Sequence, residues 1–287
     1  MPGGSAFDLS YAKYKACVDE YMLKNLPSFE RRGQKQLGEA MRYSVASGGK
    51  RLRGVLALAT YSLFGGDISE ALPLAGSIEY IHAYSLIHDD MPCMDDDDFR
   101  RGAPSCHKAY GEAIALLAGD ALLNLAFEVL LENAAAAAPD RMGGYIKAAA
   151  FIAEASGARG MAGGQAIDLA GGISGESGLR GLYRLKTGRL FDAAILAPAI
   201  YIGAGGLEYE ALQKYAASVG EAFQIKDDLM DVGESGAEPN IAKALGVAGA
   251  RQRLDGLRAG AEDSLSVFSG RADFLRGAAG FAAERES

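Results

Sequence analysis

Residues Ser85–Lys108 read SLIHDDMPCMDDDDFRRGAPSCHK, the most strongly patterned segment of the chain. An apolar, helix-like segment leads into six aspartates between Asp89 and Asp98, and Arg100 and Arg101 follow at once. Like charges at this density repel one another, so the carboxylates stay ionised together only if cations compensate them. The stretch therefore indicates a helix whose carboxyl end delivers a cluster of acids to a cation-binding site.

Helical periodicity dominates the rest of the chain. Apolar residues recur at intervals of three and four in Ala- and Leu-rich segments that begin at Leu37, Ala71, Gly111 and Glu208. Several of these segments are apolar almost all round, which is typical of helices inside a large bundle. Alternating strand patterns, linkers and repeats are absent from the sequence. It therefore predicts a single all-α domain over residues 1–287, with about ten or more helices around an apolar interior.

Glycine and proline mark the expected helix ends, because both residues commonly terminate or begin helices. The positions are Gly48–Gly49, Gly65–Gly66, Pro139, Gly143–Gly144, Gly171–Gly172 and Gly205–Gly206. Pro92 is expected to end the helix that carries Asp89, so that Asp95 turns back toward the same space.

Composition limits the possible functions. The 287 residues are 49% hydrophobic and carry a formal net charge of −8, which argues against general nucleic-acid affinity because phosphate backbones attract basic surfaces. Three scattered cysteines without a CxxC pair indicate a reducing compartment. The first residues lack a signal-peptide layout, and no uninterrupted apolar run reaches the roughly 20 residues of a membrane span. We expect a cytoplasmic protein without a membrane span.

A second acidic cluster lies far downstream, in the segment FQIKDDLMDV. The two clusters comprise Asp89, Asp90, Asp95, Asp227, Asp228 and Asp231. The downstream aspartates are three and four residues apart, so they crowd one helical face. Mg²⁺ suits such clusters, because it prefers one or two carboxylates plus phosphate oxygens to a closed protein cage. On this pattern alone, two solvated acidic faces are the alternative.

Basic residues accompany both clusters. The segment GGKRLRG opens a helix, so Lys50, Arg51 and Arg53 lie near free backbone N–H groups, and this arrangement suits a phosphate. Further candidates for phosphate binding are His82, Arg100, Arg101, Lys186 and Thr187. A lone histidine is also typical of a packed core, and basic residues at a helix start are typical of a solvated turn. Together with the apolar interior, these groups indicate a substrate with a diphosphate head and an apolar tail.

Six motifs occur in the order GGKRLR, IHAYSLIHDDMPCMDDDDFRRG, LAGDALL, GGQAIDL, KTG and FQIKDDLMD. Together they resemble the trans-isoprenyl diphosphate synthases, in particular the short-chain bacterial type that makes farnesyl diphosphate. The resemblance covers most of the chain from Leu37 to Asp231. It implies an isoprenoid synthase fold with a central apolar cavity, isopentenyl and allylic diphosphates as substrates, and a homodimer. It also implies several Mg²⁺ ions in each active site, with Mn²⁺ as an alternative ion.

The resemblance implies a role for each motif residue. Metal ions held by the six clustered aspartates grip the allylic diphosphate and, with Arg100 and Lys186, neutralise the leaving group. Isopentenyl diphosphate lies in a basic pocket. The residues of that pocket are Gly49, Lys50, Arg53, His82 and Arg101. Thr187 and Gln224 place dipoles near the allylic cation. Of these residues, the resemblance counts as catalytic Asp89, Asp90, Asp95, Arg100, Lys186, Thr187, Gln224, Asp227 and Asp228.

The expected product length rests on Tyr84 and Ser85, which precede Asp89 by five and four residues. At 1.5 Å per residue, Tyr84 lies about 7–8 Å deeper along the helix. By the resemblance, a bulky ring at this depth forms a floor that stops growth at C15, although Tyr84 is equally consistent with a core residue. Geranyl and geranylgeranyl diphosphate are the alternative products.

The match departs from the family after Asp231. The family usually carries a longer loop here, with a glycine–lysine pair and a second lysine before Thr-Tyr-Pro. In the segment VGESGAEPNIAKALGVAGA the only cation is Lys243, while Glu234 and Glu238 stand where positive charge is expected. We predict weaker substrate binding or slow turnover, offset in part by Lys226.

Two other classes of protein stay open. A non-catalytic subunit that modulates a related synthase would be expected to lose one acidic cluster, whereas this chain has both. A terpene cyclase shares the helical scaffold and the first acidic motif. Its second metal site would normally mix Asn, Ser or Thr with Glu, and it would not need the GGKRLR pocket.

Overall fold

The computed structural model of the protein describes residues 5–230, 232 and 240–284, and nearly all of them are helical. The helices are α1 (Ala6–Lys24), α2 (Arg32–Ala46), α3 (Leu52–Leu63), α4 (Ile68–Asp89), α5 (Cys106–Tyr110), α6 (Glu112–Ala136), α7 (Pro139–Ser156), α8 (Met161–Ala170), α9 (Gly175–Tyr183), α10 (Arg189–Ile202), α11 (Gly206–Met230), α12 (Ile241–Ser264) and α13 (Asp273–Glu284). A π-helical turn, Arg184–Gly188, joins α9 to α10, and a 3-10 segment, Leu265–Ala272, joins α12 to α13. The all-α prediction is confirmed.

A two-stranded hairpin is the single departure from helix and loop among the described residues. Strands β1 (Phe99–Arg100) and β2 (Ala103–Pro104) pair antiparallel, with Phe99 opposite Pro104 and Arg100 opposite Ala103. Gly102 has a positive φ of 77° in the intervening turn, where glycine carries no Cβ penalty. The hairpin follows the acidic run directly and holds Arg100 beside it.

Three central helices, α3, α4 and α10, form the core. In α10 the ten residues Leu190–Ala199 are all buried, so this helix must be apolar on every face. Asp192 is the charged exception, and it is paired with Arg184 at 2.7 Å and Arg189 at 3.3 Å. Buried charges persist in a core when such partners compensate them. Helix α10 therefore lies inside the bundle.

The predicted helix ends agree with the structure at most glycines, but not at Gly143–Gly144. Pro139 opens α7, Gly171 caps the end of α8, and Gly206 opens α11. Gly143 and Gly144, in contrast, lie inside α7, so that prediction is wrong. A Cβ on Gly144 would lie 2.8 Å from the carbonyl oxygen of Tyr201 in α10. The glycine is there because two helix backbones approach closely, and its helix continues.

Helix α6 bears on the expectation that no segment spans a membrane. By length and composition alone α6 is long and apolar enough to cross one, and it is the one such helix in the described part of the chain. In the fold, 44% of its most apolar stretch is buried, mainly against α4. Its sequence also carries Asp120 and Glu128. We interpret α6 as a core helix with one face left uncovered, since core helices pass the same test.

Candidate active site

The first acidic cluster is positioned by the end of α4. The helix ends at Asp89, Asp90 is its C-cap, and Pro92 follows in the loop. The Asp95 N–H donates to the Asp89 carbonyl oxygen at 2.9 Å, which folds the loop back over the helix end. The loop thereby brings Asp95 back beside Asp89, which is where the sequence placed it.

The electrostatics of Asp89 fit a metal ligand. Burial raises the pKa of its carboxyl group to about 6, the Lys186 ammonium opposes this shift, and Asp95 and Asp90 add to it. A group whose charged form is disfavoured by burial and by like charges gains most from a bound cation. Hard oxygen donors such as these suit Mg²⁺ and related ions. The residues present at this site therefore fit a divalent metal.

Asp90, the neighbour of Asp89, is buried and paired with Arg100. Asp90 is only 2% exposed. Arg100 Nε donates to Asp90 Oδ1 at 2.8 Å, and a second nitrogen of the same guanidinium group contacts the same oxygen. Arg100 also reaches Asp97 at 3.0 Å. Burial raises the pKa of Asp90, and the hydrogen bonds from Arg100 oppose that shift. The Asp90 carboxylate thus binds Arg100 of strand β1 and thereby orients the hairpin. The role of Asp90 as a metal ligand stays a prediction.

The second acidic cluster also contains two neighbouring aspartates in different surroundings. Asp227, near the end of α11, lines the same cavity as Asp89. Asp228 is 4% exposed, and its Oδ2 accepts hydrogen bonds from Tyr183 Oη and from the Ile241 backbone N–H, both at 2.8 Å. Asp228 therefore ties α11 to α9 and to the start of α12. Asp231, the third predicted ligand, lies outside the described residues.

A chain of hydrogen bonds connects Asp228 to the π-helical turn. Gln224 Nε2 donates to Asp228 Oδ1 at 3.2 Å, and Thr187 Oγ1 donates to Gln224 Oε1 at 2.8 Å. Thr187 and Gln224 both line the cavity that Asp89 and Asp227 share. The structure therefore brings together the two polar groups that the resemblance places near the allylic cation. Their orientation depends on a buried carboxylate.

Lys186 is held by a residue to which sequence reasoning assigned no role. Its Nζ lies 2.5 Å from Asp168 Oδ2, and Asp168 comes from α8. Helix α8 approaches closely because Gly164 faces the Lys186 backbone, where any Cβ would overlap it. Gly164 and Asp168 both belong to the GGQAIDL motif, so this motif could have indicated the contact with Lys186. The glycine allows the close backbone approach, and that approach brings the aspartate to the lysine.

We call the cavity shared by the two clusters the main cavity. It has a volume of about 470 Å³ and lies between α4, α8, the π-helical turn and α11. The charged residues Asp89, Asp227 and Lys186 line it, and so do the apolar residues Met161, Ala166 and Leu169. The two acidic clusters thus face one cavity with an apolar wall.

A second cavity of about 660 Å³, which we call the basic pocket, adjoins the main cavity. The predicted residues Gly49, Lys50, Arg53, His82 and Arg101 all line it, together with Arg100. Arg53, His82 and Asp227 border both cavities. The structure therefore brings together the whole predicted pocket, beside the acidic site and connected with it.

The basic pocket is preorganised by close contacts. A Cβ on Gly49, whose φ is +116°, would lie 2.7 Å from the Arg101 guanidinium carbon, and Arg101 in turn donates to the Gly48 carbonyl oxygen. Arg53 lies over the ring of Phe191, 4.5 Å from its centroid. Burial and four surrounding arginines lower the pKa of His82 well below its ordinary value, so the imidazole is neutral. The pocket accordingly presents fixed guanidinium groups and a neutral imidazole.

Arg51 differs from its neighbours because it holds helices together. It is buried in a left-handed conformation with φ of 51°, and its Nε contacts Asp19 of α1 at 2.8 Å. It also donates to the Val45 carbonyl oxygen and lies 3.8 Å from Glu79. Arg51 therefore links α1, α2 and α4 beneath the pocket.

The two residues predicted to set chain length, Tyr84 and Ser85, line the main cavity. The Tyr84 ring lies against His88, with ring centroids 5.7 Å apart.

A separate group, Asp96, Asp98 and His107, brings its ligand atoms within 4.8 Å of one another. None of these three residues borders the main cavity or the basic pocket.

Comparison with known proteins identifies the family. The polyprenyl synthetase profile matches residues 34–246. The chain is 43% identical over 218 residues to a farnesyl diphosphate synthase of Geobacillus stearothermophilus, a match that covers 75% of this chain and 71% of the relative. It is 44% identical over 208 residues to the chloroplastic geranylgeranyl pyrophosphate synthase 7 of Arabidopsis thaliana, covering 71% and 59%.

Solved structures agree over nearly the whole length. An FPP/GFPP synthase from Zymomonas mobilis superposes with a TM-score of 0.88 at 41% identity, covering 95% of this chain and 97% of that one. A geranyltransferase from Legionella pneumophila gives a TM-score of 0.89 at 32% identity, covering 98% of both chains. The chain therefore belongs to the polyprenyl synthetase family, as a short-chain prenyltransferase. The family uses divalent metal ions.

Proposed function

We propose that the protein, as one domain over residues 1–287, condenses isopentenyl diphosphate with dimethylallyl and then geranyl diphosphate to give farnesyl diphosphate. The observation that carries this proposal is the adjoining pair of cavities. One is lined by carboxylates and apolar side chains, and the other by arginines, a lysine and a neutral histidine. Two diphosphate substrates, one of them with a long apolar tail, match this pair.

Asp89, Asp95 and Asp227 are the residues that we propose hold the metal, with Asp231 as the fourth candidate from the sequence. When bound, Mg²⁺ supplies Lewis-acid neutralisation of the diphosphate leaving group. Asp90 and Asp228 brace the site, because Arg100 holds Oδ1 of Asp90, while Gln224, Tyr183 and the Ile241 N–H hold both oxygens of Asp228. We propose this division in place of six equivalent ligands.

Lys186 provides a fixed positive charge on the allylic side of the main cavity. Its ion pair with Asp168 holds the ammonium group at the cavity wall, where its charge partly opposes the rise that burial causes in the pKa of Asp89. Such a preorganised charge stabilises the negative charge that develops on the diphosphate as the allylic C–O bond breaks. The Thr187 and Gln224 oxygens lie on the same wall and offer dipoles to the resulting carbocation.

The basic pocket positions isopentenyl diphosphate. Lys50, Arg53 and Arg101 supply cations for its diphosphate, and the neutral His82 donates or accepts a hydrogen bond without adding charge. Since Arg53 and His82 border both cavities, the double bond is held toward the allylic carbon. Its π electrons form the new C–C bond, and the departed diphosphate accepts the proton that is lost. Proximity of two bound substrates accounts for much of the rate.

Farnesyl diphosphate is the proposed product because Tyr84 and Ser85 line the main cavity on the helix that bears Asp89. The aromatic ring reduces the depth available to the growing tail. Geranylgeranyl diphosphate is the second candidate product, since a relative named as a geranylgeranyl pyrophosphate synthase is 44% identical to the chain over 208 residues. A non-catalytic subunit or a cyclase is less well supported, because the described residues form both an acidic cavity and a complete basic pocket.

We also propose a cytoplasmic homodimer. One face of α6 leaves large apolar side chains exposed, and these are Leu116 (46%), Leu117 (50%) and Leu131 (69%). Large apolar side chains left exposed on one helix are typical of an interface between subunits. Light scattering of the purified protein tests the dimer, and Leu131→Glu should shift it toward monomer.

The proposed reaction is tested by incubation with labelled isopentenyl diphosphate and each allylic primer, with and without Mg²⁺. We expect a C15 product from dimethylallyl and geranyl diphosphates, none without metal, and none from an Asp227→Asn variant. A predominant C20 product would favour the geranylgeranyl alternative. Failure to elongate any primer would refute prenyl transfer, and a cyclic product from a single diphosphate would identify a cyclase.

A further inference from the structure

His88 connects the main cavity with α6. It lies on α4 between Tyr84 and Asp89, and its side chain lines the cavity. The rings of Tyr84 and His88 meet edge to face, with centroids 5.7 Å apart and planes at 78°. The phenol that faces the growing tail is therefore in contact with an imidazole from the next turn of the same helix.

The other side of His88 sits in a notch in the α6 backbone. Its Nε2 lies 3.1 Å from the carbonyl oxygen of Leu116. A carbonyl can only accept, so Nε2 carries a proton and donates it. Gly119, one turn along α6, has no side chain at the point where a Cβ would overlap the imidazole ring. The glycine makes the notch, and the carbonyl fixes the ring inside it.

We propose that His88 is a positioning residue for Tyr84, so that the α6 backbone helps to set the length of the product. The notch holds the imidazole, and the imidazole restricts the Tyr84 ring to one orientation at the cavity wall. A ring without that neighbour gains rotamer freedom and leaves more room for the tail. This inference rests on the proposed function, since it concerns the product of prenyl transfer.

Two single substitutions should change product length in opposite directions. His88→Gln keeps an amide N–H that reaches the Leu116 carbonyl oxygen but removes the ring. We expect the ratio of C20 to C15 product to rise about 3–10-fold, the factor that corresponds to loss of one edge-to-face ring contact. Gly119→Ala adds a methyl group where the imidazole lies and displaces the ring away from α6, toward the cavity that it lines. We expect the ratio of C10 to C15 product to rise.

Double variants separate positioning from a direct wall contact. If His88 acts through Tyr84, then Tyr84→Ala/His88→Gln gives the same product distribution as Tyr84→Ala alone. If His88 is an independent part of the floor, the second substitution lengthens the products further by its own factor, and the proposal is wrong. In Gly119→Ala/His88→Ala the methyl group occupies vacated space, so the shift toward C10 should disappear.

NMR of the protein without substrate gives a readout independent of activity. The proposal predicts a slowly exchanging His88 Nε2 proton in the wild type, and Tyr84 ring resonances that move in His88→Gln. Unchanged Tyr84 resonances would overturn the inference even if prenyl transfer is confirmed. A wild-type protein that elongates no primer would instead refute the proposed function, and the resonances would still decide whether His88 holds Tyr84. Thermal unfolding of every variant checks that it folds.

Discussion

The neighbouring aspartates of α11 should respond differently to the same substitution. Asp228→Ala removes the acceptor for two buried donors, the Tyr183 hydroxyl and the Ile241 N–H, each bonded at 2.8 Å. Asp227→Ala removes a carboxylate that lines the main cavity. We expect both variants to lose metal-dependent activity, but only Asp228→Ala to lose much of its stability.

The magnitude follows from the hydrogen bonds. A buried donor left without a partner costs about 1–3 kcal/mol, so two donors cost about 2–6 kcal/mol. Burial raises the pKa of Asp228 despite its hydrogen bonds, so at neutral pH the folded state holds this carboxylate less favourably than the unfolded chain does. Removing the charge recovers part of that cost. We therefore expect a loss of about 2–4 kcal/mol in the free energy of unfolding.

Unfolding measurements test this difference directly. For a chain of this size, the expected loss corresponds to a fall of roughly 4–16 °C in melting temperature. Asp227→Ala should lower the melting temperature by much less. This variant should instead lose the extra stabilisation that Mg²⁺ with inorganic diphosphate gives the wild type. Equal melting temperatures for the two variants would refute the division into a cavity aspartate and a bracing aspartate. A normally stable Asp228→Ala variant whose melting temperature no longer rises with Mg²⁺ and inorganic diphosphate would refute it as well.

Four further outcomes follow from the site. Tyr84→Ala should lengthen the products, as chromatography of the dephosphorylated chains would show, and an unchanged spectrum would exclude the ring as the limit. Gly49→Ala should raise the KM for isopentenyl diphosphate more than that for the primer, because its Cβ would lie 2.7 Å from the Arg101 guanidinium carbon; equal effects on both substrates would argue against the pocket assignment. Asp168→Asn should lower kcat less than Lys186→Met does, since it releases the ammonium without removing it; a larger loss would mean that Asp168 acts directly. Because of the short segment after Asp231, turnover should be slow and the KM for the primer high beside the Geobacillus relative, and equal constants would make the family's lysines dispensable.

The fold was largely predictable because helical periodicity and breakers are local signals. Pro139 and Gly171 mark helix ends through their own backbone preferences, and both predictions hold. Gly144 fails because its reason is tertiary: α7 crosses α10 so closely that a Cβ would meet the Tyr201 carbonyl oxygen at 2.8 Å. A glycine at a crossing and a glycine at a helix end look the same in one sequence.

The sequence was enough to predict which residues line the two cavities, but not which of them support the others. Charge density and motif order identified the acids and the basic pocket, and the structure brings these residues to two adjoining cavities. Asp168 received no role because a single aspartate in a glycine-rich segment carries no signal by itself. Its ion pair with Lys186 depends on the close packing of α8 against the π-helical turn.

Helix rotation explains why each acidic doublet contains two different residues. Successive residues on an α-helix project about 100° apart, so two adjacent carboxylates cannot both face one narrow cavity. At both sites the first aspartate, Asp89 or Asp227, lines the main cavity. The second, Asp90 or Asp228, turns inward and takes its hydrogen bonds from the protein. The inward residues fix the hairpin and the start of α12, and these contacts hold each cavity-facing carboxylate in place across the cavity from the other. A doublet thus supplies a ligand and its support within one helical turn, which accounts for paired acids where a single aspartate would suffice for charge.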